Sequence, residues 1–544
     1  MRRTIALTLL TIITAGAALL ARAPAAASGV IITAIEAGYL HTCAITDTGG
    51  LKCWGFNGFG QLGDGSGFSR PVPVDVIGLD SGVAAVAPGW YHTCALTIEG
   101  GVKCWGWNIF GQLGTTGVYC IPDEPLFPCS AVPVDVKGLE SGGAAVSTGS
   151  FHSCALTTSG GVKCWGNNSV GQLGDGTTTS RHTPADVLGL TSDVVAIAAG
   201  FDHTCALTSA GAVKCWGENG AGVVLGAESS ETCISVFGDP HPCSTTPLDV
   251  ETLDSGVAAL SALGSFTCAL TQDGGVKCWG SNFNGQLGDG TFGNSRRTPA
   301  DVIVAPGGAP LTGVAAVSAG ASHTCALMMT GGVKCWGSNN FGEVGDGSPN
   351  IDDRTTPGDV CQVYDADAGQ CVGRLSGATA IAAGFVHTCA LTEVGGVKCW
   401  GVNATGDLGI GTFDGLPHPV PVDMWQDWDG DGCSDLREQG NNPALGGRRD
   451  PKNFWDFFDI PDVNNVRDRA ISTGDLQRLI ARFGTHGNPN IDPFTQPLAS
   501  GYHTAFDRSP PGPGGNRWNL GPPDGSVSTS DILFAVTQFG HTCV

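Results

Sequence analysis

A two-cysteine unit recurs seven times along the chain, and this recurrence limits the possible folds more than any other feature. Its first copy reads His41-Thr-Cys43-Ala-Ile-Thr-Asp-Thr-Gly-Gly-Leu-Lys-Cys53-Trp54-Gly55. The first cysteine returns at Cys94, Cys154, Cys205, Cys268, Cys325 and Cys389. The second follows ten residues later each time, at Cys104, Cys164, Cys215, Cys278, Cys335 and Cys399. A Trp-Gly pair always follows, and the period runs from 51 to 64 residues.

Each unit reads as four short strands. The first is small and apolar, as in Val83-Ala-Ala-Val86, and ends at a glycine such as Gly89. The second is His-Thr-Cys-Ala-Leu-Thr, the third Gly-Val-Lys-Cys-Trp-Gly, and the fourth Pro-x-Asp-Val. A Gly-Gln-Leu-Gly turn separates the last two at 60–63, 111–114, 171–174 and 285–288. Four short strands per repeat with glycine punctuation predict an all-β, seven-bladed propeller. Small residues in the first strand suit the crowded edge near the axis. Gly58-Phe-Gly60-Gln-Leu-Gly63 matches a dinucleotide-binding pattern literally, but it opens no helix and belongs to the blade turn.

If the paired cysteines face each other, a three-residue loop closes the hairpin, and such loops need a left-handed residue in third place. That place is glycine in all seven units: Gly49, Gly100, Gly160, Gly211, Gly274, Gly331 and Gly395. The cysteines then occupy a non-hydrogen-bonded pair, within disulfide range. Seven intra-hairpin disulfides follow, each worth ~3 kcal/mol in the loop-entropy picture. Zinc is the competing reading, since most units offer His-x-Cys. Repeat five argues against it, because Phe266 replaces the histidine while Cys268 and Cys278 remain. The histidines at 41, 92, 152, 203, 323 and 387 are expected to be structural donors.

Six further cysteines lie in insertions. Cys120 with Cys129, and Cys233 with Cys243, fall between the third and fourth strands of repeats two and four. Cys361 with Cys371 follows the fourth strand of repeat six. Loops of this individuality on a rigid body are candidates for recognition. A lysine precedes every second cysteine and an aspartate sits in every fourth strand, so pairs such as Lys163 and Asp186 are expected to meet across the ladder.

The string Gly-x-x-His-Thr-x-Ala-Leu-Thr, then Gly-x-Val-x-x-Trp-Gly-x-Asn-x-x-Gly-Gln-Leu-Gly, resembles the regulator of chromosome condensation repeat family over residues 30–424. The resemblance implies a seven-bladed propeller. The family's founding member is a guanine-nucleotide exchange factor that binds chromatin, and other members are exported binding proteins. No functional residue is carried over from it.

The address differs from that founder. Arg2 and Arg3, an apolar run from Ile5 to Leu20 and Ala25-Ala26-Ala27 make a secretory signal over residues 1–27, with cleavage near Ser28. An uncleaved anchor is the alternative; no later stretch is long enough to span a membrane. Export puts the 22 cysteines where disulfides persist. The formal charge is −23, with 50 acidic against 27 basic residues, which argues against nucleic acid or an anionic membrane as partner. The propeller occupies residues 28–424.

The character changes after Met424, where residues 425–544 form a separate module. Asp427, Asp429, Asp431, Cys433, Asp435 and Glu438 take the ligand positions of a twelve-residue EF-hand calcium loop, Cys433 through its carbonyl and Gly432 at the turn. Two later stretches repeat at an offset of 56 residues, from Ile471 to Gly484 and from Val527 to Gly540. Each reads as a capped helix. The pair resembles dockerin modules, which implies attachment to a cohesin-like partner. Only Asn464, Asp468 and Asp475 remain as ligands in one half-loop, and Asp524 and Asp531 in the other. Cys433 and Cys543 are left to bridge the module.

These features together point to a secreted or cell-surface binding and scaffold protein. Its propeller would recognise protein or glycan, and calcium would be structural in the tail. An exchange-factor-like regulator and an exported propeller enzyme acting on polysaccharide are the alternatives. Unpaired carboxylates or histidines at the axial mouth would favour the enzyme.

Overall fold

The computed structural model describes residues 31–424, apart from 121–127, 236–237, 349–351, 366–369 and 394. The signal segment, the calcium loop, both half-loops and the Cys433–Cys543 pair lie outside the described residues.

Seven antiparallel sheets surround an axis, each built from consecutive strands. In blade 1 the strands are Ile32–Ala37, His41–Thr46, Leu51–Gly55 and Arg70–Asp75, from the axis outward. Blade 7 ends with Pro417–Asp423. Blade 4 gains a fifth strand at its outer edge, Glu231–Ile234, from the insertion closed by Cys233 and Cys243. Among the described residues no helix is long and apolar enough to cross a membrane.

The hairpin between the second and third strands shows why the cysteines pair. Thr46 N donates to Gly50 O at 2.8 Å and Gly49 N to Thr46 O at 2.9 Å, leaving Asp47-Thr48-Gly49 as the loop. Gly49 has φ +77°, a conformation that a side chain would strain. This fixes Cys43 opposite Cys53. In all seven hairpins the cysteine Cα atoms are 4.1 Å apart and the disulfide is formed. Three more bridges, Cys120–Cys129, Cys233–Cys243 and Cys361–Cys371, close the insertions.

Each of the seven hairpin disulfides lies in a core between neighbouring blades. Cys43 and Cys53 pack with Leu62, Val76, Leu79 and Val86 of blades 1 and 2, and with the fully buried Trp105. A polar latch starts from every blade but the fifth, where Phe266 stands in place of the histidine. His41 Nε2 lies 2.8 Å from Thr93 Oγ1 in the next blade, and Thr93 in turn donates to the Gln61 carbonyl at 2.8 Å. Trp105 Nε1 donates to the same carbonyl at 2.8 Å. The latch repeats around the ring and closes it, with Thr42 Oγ1 2.8 Å from His387 Nε2 and Trp54 Nε1 donating to Asp407 O at 3.0 Å. Glycine precedes these histidines because the ring covers its Cα. A Cβ on Gly89 would fall 2.9 Å from His92 Cε1 and 2.8 Å from the Gly149 carbonyl.

On the outer half of every blade, the lysine beside the second cysteine reaches the aspartate of the fourth strand. The distances run from 2.5 to 2.8 Å, with Lys163 and Asp186 directly paired in register. Four arginines pair with aspartates in the turns after the third strand, as Arg70 does with Asp64 at 2.8 Å. Arg297 pairs with Glu228 and Glu251, and Arg374 with Asp359. Among the described residues every lysine and arginine but Lys137 is therefore in an ion pair, and the remaining carboxylates give the surface its charge.

Candidate functional site

Strands alternate in direction, so the connections emerge on two faces. The first-to-second and third-to-fourth connections share one face, here called upper. The hairpin loops and the links between blades share the lower face. Cys120–Cys129 and Cys233–Cys243 close upper insertions, and Cys361–Cys371 a lower one.

The two faces differ in chemistry. Phe68, Tyr119, Phe283, Phe292, Phe341 and Phe413 are exposed, and all lie in upper connections. The large apolar residues exposed on the lower face are aliphatic, among them Ile77, Ile98, Leu188 and Met329. Around the upper mouth, half-buried rings join into one platform. Tyr39 meets Phe385 at a centroid distance of 4.1 Å and Trp90 at 4.7 Å. Trp90 meets Tyr91 and Phe201, Tyr91 meets Phe56 and Phe59, and Phe59 stacks on Trp107 at 4.8 Å. Phe151 links Trp107 to Phe110. Edge and offset contacts of this kind hold rings rigidly, as a recognition surface requires.

The platform runs into an acidic patch on blade 4. Asp202, just before the second strand of blade 4, and Glu218, at the end of its third, are neighbours, with Glu218 N donating to Asp202 O at 2.8 Å. Gln172 Nε2 donates to Asp202 Oδ1 at 3.0 Å, and His241 Nδ1 lies 3.6 Å from Glu218 Oε1. Burial, and then the Glu218 charge, raise the Asp202 carboxyl to about 7. Burial also raises Glu218, and His241 partly offsets that. A cleft of about 510 Å³ opens beside them, between Phe201, Val223, Phe283 and Gln286.

The axial channel is narrower, about 160 Å³, and is lined by alanine, serine and other small residues. Glu36 is its one carboxylate; it keeps contact with solvent, yet the surrounding protein raises it to about 7. Ser147, Ser261 and Ser318 face the channel too and accept hydrogen bonds from the next inner strand but at about 3 Å, from Ala199, Ala319 and Ala383. Among the described residues no three His, Cys, Asp or Glu groups converge to hold a metal ion.

The cysteines of the described residues are thus structural, and of the two upper insertions the one in blade 4 contributes His241 to the site. The platform and the acidic pair escaped the sequence reading. Both stand at positions that vary between repeats: after the inner glycine, and after Trp-Gly. Aligning those two columns exposes the signal. They hold Tyr91 and Trp107 in repeat two, Asp202 and Glu218 in repeat four, and Ser322 and Ser338 in repeat six.

Comparison with known proteins agrees with this architecture. Seven segments match the regulator of chromosome condensation (RCC1) repeat: residues 32–61, 83–112, 144–172, 194–223, 257–286, 314–343 and 378–406. A second form of the repeat matches 49–96, 99–156, 159–207 and 273–327. The ultraviolet-B receptor UVR8 of Arabidopsis thaliana is 30% identical over 69% of this chain and 78% of its own. The secretion-regulating guanine nucleotide exchange factor of Bos taurus is 29% identical over 70% of this chain and 80% of its own. The human E3 ubiquitin-protein ligase HERC2 is 29% identical over 70% of this chain, which spans only 7% of the ligase. Among solved structures, yeast RCC1 (Prp20) bound to Kap60 superposes with a TM-score of 0.56 at 21% identity, covering 75% of this chain and 86% of its own.

Proposed function

The chain belongs to the regulator of chromosome condensation repeat family, and from that premise we propose that it is an exported protein-binding propeller that recognises its partner with the upper face. The observation that carries the reading is the unevenness of the faces. The body is uniform and tied by ten disulfides, while the rings and the acidic pair gather on one side. Rigid aromatic anchors beside charged groups are the usual makings of a protein interface. Relatives named as a receptor, an exchange factor and a ubiquitin ligase share no common chemistry, and this supports a binding role for the propeller they share. The disulfides and the signal-like start support export. In this reading the 425–544 module attaches the protein to a cohesin-like or other surface partner, with calcium held by Asp427, Asp429, Asp431, Cys433, Asp435 and Glu438.

The test uses the full mature chain from the exported fraction. Its N-terminus is expected near Ser28, and calcium at roughly 10⁻⁴–10⁻³ M should raise a melting transition. Glu438→Ala should abolish that rise and leave propeller melting unchanged. An intact signal segment on an intracellular protein, or a calcium effect untouched by Glu438→Ala, would defeat the reading.

A second reading, regulation of a GTPase by nucleotide exchange, has the likeness to the bovine exchange factor in its favour. Stimulated nucleotide release from a GTPase of the same compartment would establish it instead.

A further inference from the structure

The sevenfold pattern fails around blade 5, above all at its junction with blade 4. In six blades an asparagine side chain accepts from the backbone five residues on, as Asn57 Oδ1 does from Leu62 N. In blade 4 the same bond spans six residues, from Leu225 N to Asn219 Oδ1, so the turn is one residue longer. The extra length places Ala221 at φ +52°. In blade 5 the glycine and histidine of the latch become Leu263 and Phe266. With the blade 4 turn one residue longer, the buried Trp279 Nε1 finds no acceptor among the described residues. The 510 Å³ cleft lies over this junction, with Glu218 and His241 on its wall. The same two residues also wall a smaller pocket that contains Asp202.

We propose that this cleft receives an arginine side chain from the partner, its guanidinium held between the carboxylates of Asp202 and Glu218. The proposal rests on the protein-binding reading above and names the chemistry of one contact within it. Repeat four alone places carboxylates in these two columns. The equivalents of Asp202 are Leu40, Tyr91, Phe151, Ser265, Ser322 and Val386. Two half-buried carboxylates side by side disfavour each other's ionisation, and a cation between them reverses that. Among the described residues no lysine or arginine pairs with either of them; His241 and the neutral Gln172 are their side-chain partners. Gln172 engages only Oδ1 of Asp202, whose half-buried side chain borders the smaller pocket. Phe201 and Phe283 supply ring faces for a flat cation, and Ser265, Ser281 and Asn284 supply further acceptors. A guanidinium is planar, permanently charged and presents five donors, which suits a split acceptor set better than a compact ammonium does.

The probe is the blocked tripeptide acetyl-Gly-Arg-Gly-amide, followed by saturation-transfer NMR on the full mature chain. Saturation is expected at the arginine side chain. Asp202→Asn and Glu218→Gln should each weaken binding about tenfold or more, the worth of one charged hydrogen bond. Asp202→Asn keeps the shape and the Gln172 contact, so folding is not at stake. The citrulline peptide, of nearly the same shape but neutral, should not bind. Equal binding of the citrulline peptide, or arginine binding unchanged in both variants, would overturn the proposal. So would a neutral oligosaccharide that displaces the peptide and binds both variants normally, which would mark a glycan cleft. Partner binding through the platform, read separately with Trp107→Ala, distinguishes failure of this contact from failure of the protein-binding reading.

Discussion

Each latch histidine has one proton and one place for it. In every latch but that of His203 the neighbouring hydroxyl donates to a carbonyl, so it accepts from His Nε2–H. Nδ1 then carries a lone pair against glycine, and in His41, His92, His152, His323 and His387 it has no partner. A second proton would be a buried, unpaired charge. Burial, reinforced in four of the rings by other histidines, lowers His41, His92, His152 and His323 to about 3; burial lowers His203 and His387 to about 4. Above the ordinary value of 6.5 these rings are neutral folded or unfolded and make no difference. Below it the unfolded chain takes up protons that the fold refuses, so stability falls with pH. Glu36 and Asp202, raised to about 7, Asp407, raised to about 6, and Glu218 and Glu343, also raised by burial, act the other way, because the fold holds protons that the unfolded chain releases. The histidines outnumber them. Near pH 5.5 unfolding should therefore take up protons, and stability should fall as the pH is lowered. Calorimetry from pH 7.5 to 5 should show the melting temperature falling; a flat or rising profile would contradict the latch.

The blade is the element that carries the sequence's message, and the latch gives it a controlled comparison. Trp336 Nε1 donates to the Gln286 carbonyl at 2.9 Å, whereas Trp279, equally buried, donates to nothing. Both Trp→Phe changes lose similar apolar volume. Trp336→Phe should therefore cost about 1 kcal/mol more than Trp279→Phe, the net worth of one hydrogen bond. Melting under matched conditions reads the difference, and equal losses would mean the indole bond contributes nothing. Four strands per unit and the hairpin register were legible because they follow from short-range rules. A left-handed third residue in the loop fixes the register, and the register fixes the cysteines. The Lys163–Asp186 contact was legible because strand alternation and adjacency place both residues on one face. The uneven faces were not, because the rings that touch lie far apart in sequence, as Tyr39 and Phe385 do. Nor was the junction of blades 4 and 5, where one inserted residue moves a carbonyl away from Trp279. Such a shift becomes visible only when neighbouring blades are side by side.

At the scale of the whole molecule, charge and aromatic exposure separate body from face. The cations are committed within the blades, as Lys163 is to Asp186 at 2.6 Å and Arg181 to Asp175 at 2.8 Å. An acidic propeller whose described cations are nearly all paired selects neutral or cationic partners. The platform adds an apolar anchor, and its continuity from Tyr39 through Phe151 and Phe201 to Asp202 places anchor and charge on one surface. The lower face offers scattered aliphatic residues without such a cluster. The central claim, that recognition belongs to the upper face, is tested most directly by photo-crosslinking in the native exported fraction. Benzoylphenylalanine is placed at Phe110 or Phe283 on the upper face, and at Ile98 or Met329 on the lower. A discrete cross-linked protein partner is expected from the upper positions and none from the lower ones. Cross-links of equal yield from both faces, or from the lower face alone, would contradict the account.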